Sequence, residues 1–315
     1  MAPGRPARRS RLTWPGRVNM SFPGAGRTGQ AGTPAGTARD RQAGGYHRFF
    51  SQFTIPVARP PLDAARVTAG STVLDAGAGP GYAARAARAR GAHVVAADLP
   101  AAMLACARHA DPLLPLVQAD AELLPVASGA FTAVVAGFCL PHLAGPAAGT
   151  AELARALAPG GWLAVSAWDV PARARHTGLL AGAIAEVTGT PPAASAVPGS
   201  RLGELLHASG LDHAECGTLR RMHPVPSAQA LWDGLLASPV AAAAAVLRAT
   251  PATQHRIREH FLTLAAAVTD PGGTVRLPVS AVIGAGQRPA ASGPRRPGGY
   301  RHSAASPRRP LPGAP

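Results

Sequence analysis

From about residue 70 onward, short apolar runs alternate with longer stretches that repeat their apolar positions every three to four residues. Thr72–Ala76 is a short apolar run that ends in Asp75-Ala-Gly. Residues 82–90 have helical spacing and stop at Gly91, a residue suited to the left-handed position just past a helix end. Residues 92–97 are apolar and strand-like. Ala101–Ala110 reads as a helix, with Pro100 near its first turn. Residues 116–119 form a brief strand, and Phe131–Gly137 another after the Ser128-Gly129 turn. Residues 146–157 are helical and end at Pro159-Gly160, and residues 162–167 form a fifth strand. This alternation predicts βαβ units, a parallel sheet and right-handed crossovers.

Past Trp168 the pattern weakens. Residues 177–187 and 201–209 read as helices, separated by Pro191-Pro192 and stopped by Gly210. Residues 213–224 have strand character. Residues 228–237, 240–248 and 253–268 are helical, and residues 274–284 alternate as a last strand should. There is no internal repeat.

Composition changes the picture mainly at the ends. The chain has 315 residues, is 47% hydrophobic and carries a formal charge of +15. Eight Arg and one acid fall in residues 1–45, and six Arg and no acid in 287–315. Between them 17 Arg nearly cancel 15 acids. A near-neutral body is not a basic nucleic-acid groove, so no specific nucleic acid is expected. The end segments are rich in Gly, Pro and Arg without periodicity, and read as disordered basic tails. The folded domain is then 46–286, with a core over 70–170 and substrate-covering segments at 171–210 and 225–270. There is no lysine anywhere. No run approaches the roughly 18 apolar residues of a membrane span, and Arg8-Arg9 precedes no apolar segment. A cytoplasmic protein with buried, free Cys106, Cys139 and Cys216 is expected, with no metal site.

The chemistry concentrates in "VLDAGAGPGYA", where Gly77, Gly79 and Gly81 follow the first strand. Glycine admits positive φ and lets a ligand reach the main chain. The helix after it offers free N–H groups and a positive dipole end. The third glycine comes one place too early for the dinucleotide fingerprint, and a P-loop would need Gly-Lys-Ser/Thr. A tight structural turn flanked by two solvated carboxylates, Asp75 and Asp98, is the plain alternative.

The spacing D-x-G-x-G-x-G resembles the first motif of the class I S-adenosylmethionine-dependent methyltransferases. "QADAELLPV", "FTAVVAGFCLPHL" and "ARALAPGGWLAVSAWD" are similar to that family's later motifs, and "YHRFFSQF" to the N-terminal helix that closes over the cofactor. The closest likeness is to the small-molecule branch that includes quinone-biosynthesis enzymes. The resemblance implies a Rossmann-like, doubly wound α/β sheet of seven strands, the last antiparallel, under a helical lid. It implies S-adenosylmethionine held by Tyr46, Asp75, Gly77, Gly79, Gly81, Asp98, Leu99, Asp120 and Ala121. Asp75 would serve the ammonium, Asp98 the ribose hydroxyls, and Asp120 and Ala121 the adenine. His142, after the fourth strand, is the candidate general base; its alternative is a structural role in that loop. Trp168, Trp232, Leu235, Leu236, Phe261 and Leu264 pack the lid or line a cavity for a small, fairly apolar acceptor such as a quinone, polyketide or aromatic metabolite. Two rivals stay open: an RNA methyltransferase gripping through its Arg tails, and a cofactor-binding regulator without turnover. No G-x-S-x-G elbow supports a hydrolase.

Overall fold

In the strands, alternate side chains belong to opposite cores, and that alternation decides which residues meet the site. The computed structural model describes residues 46–169, 177–191, 197–238 and 240–290. Residues 1–45 and most of 287–315, read as tails, lie outside the described residues. Seven strands form one sheet in the order β3-β2-β1-β4-β5-β7-β6. They are β1 Thr72–Ala76, β2 His93–Asp98, β3 Leu116–Gln118, β4 Phe131–Gly137, β5 Leu157–Trp168, β6 Asp212–Val225 and β7 Val275–Gln287. The first five pair in parallel, and β7 runs antiparallel to both β5 and β6.

Leu74, Ala76, Val95, Ala97, Val134, Ala136, Leu163 and Val165 turn to one side. There they bury against α5 (Pro146–Ala156) and α7 (Leu202–Ala208), through Leu153, Leu202 and Leu206. Val73, Val94, Ala96, Ala133, Val135 and Ala164 turn to the other. They meet α2 (Pro60–Ala64), α3 (Tyr82–Arg88) and α4 (Ala101–Ala110) through Leu62, Ala84 and Ala107. The small alanines on α3 and α4 let these helices lie close to the sheet. Asp75 and Ser166 share the second face by the same period of two.

Trp168, at the end of β5, pairs with Ala281, whereas β7 begins at Val275 opposite Val225. The β6–β7 ribbon therefore projects about six residues, roughly 20 Å, beyond the carboxyl edge of the parallel strands. A third core forms on that projection. It packs α6 (Gly178–Thr188), α8 (Ala228–Leu236), α9 (Ala241–Arg248) and α10 (Pro251–Ala266) against Val225, Val275 and Leu277. Ser227 and Thr250 cap α8 and α10 by accepting N–H bonds from Ala230 and Thr253. Trp232, Leu235 and Phe261 are fully or almost fully buried here, so their work is packing. Among the described residues no single helix is long and apolar enough to cross a membrane.

Three readings need correction. The Pro159-Gly160 turn lies inside β5, which starts at Leu157 opposite Phe131 and shifts register before Trp162 meets Ala133. Order continues past residue 286: the Arg288 N–H donates to the Gly161 carbonyl and its carbonyl accepts from Gly160. Cys216 is exposed on edge strand β6, rather than buried.

Candidate functional site

β1 ends where the chain must turn sharply into α3. Gly77, Gly79 and Gly81 all sit at positive φ, +66°, +53° and +77°. A side chain at Gly77 would run into Cys139, with the Sγ at 2.6 Å from an added Cβ. An added Cβ at Gly79 would meet nothing within 4 Å, so the turn is open there. At Gly81 the limit is packing, since a Cβ would lie 3.2 Å from Ala107 and 3.3 Å from Leu114.

Asp75 is 2% exposed and accepts a hydrogen bond from the Ala84 N–H at 2.8 Å. It thereby satisfies a free donor in the first turn of α3, whose N-cap Gly81 has no side chain to do so. Burial is the main reason its pKa climbs from 3.8 to about 7; the bond from Ala84 opposes the rise and the nearby Asp98 anion adds to it. Asp98 lies at the end of β2, beside Gln118 of β3. Its two oxygens accept from the N–H groups of Gly79 at 2.5 Å and Leu99 at 2.8 Å.

A cavity of about 60 Å³ opens beside the turn. Asp75, Gly77, Gly79, Val135, Gly137, Phe138 and Ser166 line it near the strand ends. Tyr46, Thr54, Val57 and Ala58 cover it from a helical segment spanning Tyr46–Phe50, Ser51–Thr54 (α1) and Ile55–Val57. The Tyr46 hydroxyl donates to Thr54 Oγ1 at 3.1 Å, and burial pushes its pKa up to about 12. Two side-chain bonds hold the segment down: His47 Nδ1 with the Tyr82 hydroxyl at 2.9 Å, and Gln52 Oε1 with His223 Nε2 at 3.0 Å.

Phe138 is the unexpected member. Its φ is +54°, a conformation that costs a non-glycine residue about 1–3 kcal/mol. Its N–H is held by the Ser166 carbonyl at 3.0 Å and Ser166 Oγ at 3.2 Å. Its ring stacks on Trp168 with centroids 4.1 Å apart. No sequence signal marked Phe138 or Ser166 beyond their place at the ends of β4 and β5.

Of the expected residues, Tyr46, Asp75, Gly77 and Gly79 line the cavity. Gly81 caps α3 behind it. Leu99, Asp120 and Ala121 lie toward the β2–β3 edge, outside that cavity. Asp120 is exposed and accepts from the Glu122 N–H at 2.9 Å, while the Leu99 carbonyl accepts from the Gln118 amide at 2.9 Å. His142 is exposed on a single 3₁₀ turn, Leu140–His142, outside the cavity.

Comparison with known proteins fits this geometry. Residues 74–165, which run from within β1 to within β5, match the family model described as a methyltransferase domain. This segment is similar to a methyltransferase domain. Over 106 residues the chain is 40% identical to the demethylmenaquinone methyltransferase of Clavibacter sepedonicus, covering 33% of this chain and 43% of that one. The enzyme of the same name from Beutenbergia cavernae is 36% identical over 113 residues, 36% of this chain and 47% of the relative. The chain thus matches less than half the length of these relatives. A Bacillus halodurans protein described as a candidate methyltransferase superposes with a TM-score of 0.52 at 19% identity. That match covers 74% of this chain and 99% of the other. The YcgJ protein of Bacillus subtilis gives 0.51 at 15% identity, covering 74% and 97%. The chain therefore has the Rossmann-like fold, extended here by the helices packed on the β6–β7 ribbon.

Proposed function

We propose that this chain binds S-adenosylmethionine and transfers its methyl group to a small, fairly apolar acceptor of the quinone type. One observation carries the reading: three glycines at positive φ close β1, open above Gly79, with the Asp75 and Asp98 carboxylates on either side.

The donor set fits such a cofactor. It has no phosphate, and the turn has no lysine to hold one. Asp75 is buried, and among the described residues no cation is one of the groups acting on it, which would leave a place for an ammonium. The first turn of α3, whose Ala84 N–H Asp75 already holds, would offer its earlier N–H groups to a carboxylate. Asp98 would take the ribose hydroxyls once it turned from the Gly79 N–H. Leu99, Asp120 and Ala121 would serve the adenine ring, and Gly77, Gly79, Gly81 and Tyr46 the rest. When bound, the cofactor supplies an electrophilic methyl group together with its own leaving group.

What remains for the protein is placement and exclusion of water. The 46–57 segment and the lid on the ribbon do the excluding. His142 would act as a base for a hydroxyl acceptor only if its turn swung inward. The names of the relatives support a quinone-like acceptor. The near-neutral body gives no support to an RNA substrate, and a cytoplasmic location agrees with the reading.

The test is methyl transfer to reduced 1,4-naphthoquinone. Purified protein and S-adenosylmethionine are incubated with it, and the product is followed by mass spectrometry. A product heavier by one methylene supports the proposal. Bound cofactor without transfer to this or other quinols would favour the non-catalytic regulator.

A further inference from the structure

We infer that Phe138 selects the acceptor: its ring, backed by Trp168, is the platform on which a flat aromatic acceptor stacks. The inference rests on the methyltransferase reading and adds to it the residue that chooses the substrate.

Along β4 the odd positions Ala133 and Val135 face the side of the sheet under α2, and Val135 lines the cavity, while Val134 and Ala136 face the other core. Continued one more residue, that alternation would send Phe138 away from the cavity. The left-handed backbone at Phe138 breaks the alternation. Phe138 instead lines the cavity beside Gly137, Val135 and Ser166. A ring needed only to fill a core does not require such a backbone, and strained conformations cluster where ligands are held.

The surroundings fix the ring once it is turned. Ser166, wholly buried, accepts the Phe138 N–H with both its carbonyl and its hydroxyl. Trp168 stacks on Phe138 at 4.1 Å and 28°, and Phe50 meets Trp168 edge-on at 6.3 Å. The cavity therefore has two chemistries. The carboxyl of Asp75, the Tyr46 and Thr54 hydroxyls and the glycine turn offer polar contacts. Phe138, its ring stacked on Trp168, is the apolar aromatic residue of the lining. Offset stacking suits a planar conjugated ring and not a puckered one of similar polarity.

The experiment uses the full chain with S-adenosylhomocysteine bound, and two probes: 1,4-naphthoquinone and the puckered cyclohexane-1,4-dione. Binding is read by quenching of tryptophan fluorescence for the quinone and by calorimetry for both. Phe138→Asn removes the ring while keeping a residue that tolerates the left-handed backbone. Phe138→Tyr keeps the ring. The wild type binds the quinone saturably and the dione not at all. Phe138→Asn weakens quinone binding about tenfold, Phe138→Tyr restores it, and all three bind S-adenosylmethionine alike. Wild-type quinone affinity in Phe138→Asn would overturn the inference. So would loss of cofactor binding in that variant, which would assign the ring to the cofactor. If the wild type binds S-adenosylmethionine but not the quinone, this inference fails and the methyltransferase reading stands. If it binds no S-adenosylmethionine, the reading itself fails and this inference with it.

Discussion

Asp75 gives the sharpest prediction, because a buried carboxyl with no cation acting on it among the described residues makes stability depend on pH. In the folded chain its pKa is about 7, against an ordinary 3.8. At about 1.4 kcal/mol for each factor of ten, the difference amounts to about 4 kcal/mol. The folded value is the higher one, so the folded chain holds the proton over a range where the unfolded chain has lost it. The stability conferred is whole below pH about 4 and is lost as pH rises to about 7, with no further change above. Asp75→Asn removes the titration, and its amide oxygen can still accept from the Ala84 N–H. Urea denaturation of both proteins at several pH values between 4 and 8 isolates the effect, since every other titrating group is shared. Relative to the wild type, Asp75→Asn should gain stability steadily from pH 4 to pH 7, by up to about 4 kcal/mol, and then level. A difference that stayed flat across the range would refute the reasoning. It would mean that water or a cation reaches the carboxyl.

Three further outcomes are expected. Binding of S-adenosylmethionine should release a proton from Asp75 near pH 6 and almost none above pH 8, since an ammonium favours the ionised form; calorimetry in two buffers of different ionisation enthalpy measures it. Gly77→Ala should cost about 3 kcal/mol, because its Cβ meets Cys139. Gly79→Ala should cost about 1–2 kcal/mol, the price of φ +53° in open space; thermal denaturation ranks the two. Ending the chain at residue 286 should lose about 1–3 kcal/mol, because Arg288 ties β7 to Gly160, Gly161 and the Arg155 carbonyl; denaturant melts of the two lengths check it.

The sheet was legible because its signals are local. Each strand of the core is a short apolar run bordered by at least one helix that announces its own end, and β4 and α4 fall on their predicted bounds, Phe131–Gly137 and Ala101–Ala110. The glycine turn was legible because only glycine accepts those angles in succession. The start of β5 was misplaced because Pro159-Gly160 reads as a turn, although neighbouring β4 keeps the bend within the strand. Phe138 was missed for a deeper reason. Its place in the cavity lining goes with a positive φ and a bond to Ser166, 28 residues away, and no pattern along β4 encodes that. The Gln52–His223 bond joins residues 171 positions apart and is equally invisible in a linear reading. Asp98 shows the limit from the other side: its place at the end of β2 was clear, but its engagement with Gly79 appears only once two loops are folded together.

The central claim is that a sulfonium nucleoside sits over Gly79 with its sugar at Asp98. Titration calorimetry with S-adenosylmethionine, on the wild type, Asp98→Ala and Gly79→Val, tests it most directly. The wild type should bind, Asp98→Ala should bind about tenfold or more weakly, and Gly79→Val should not bind. Equal affinity in all three would contradict the account.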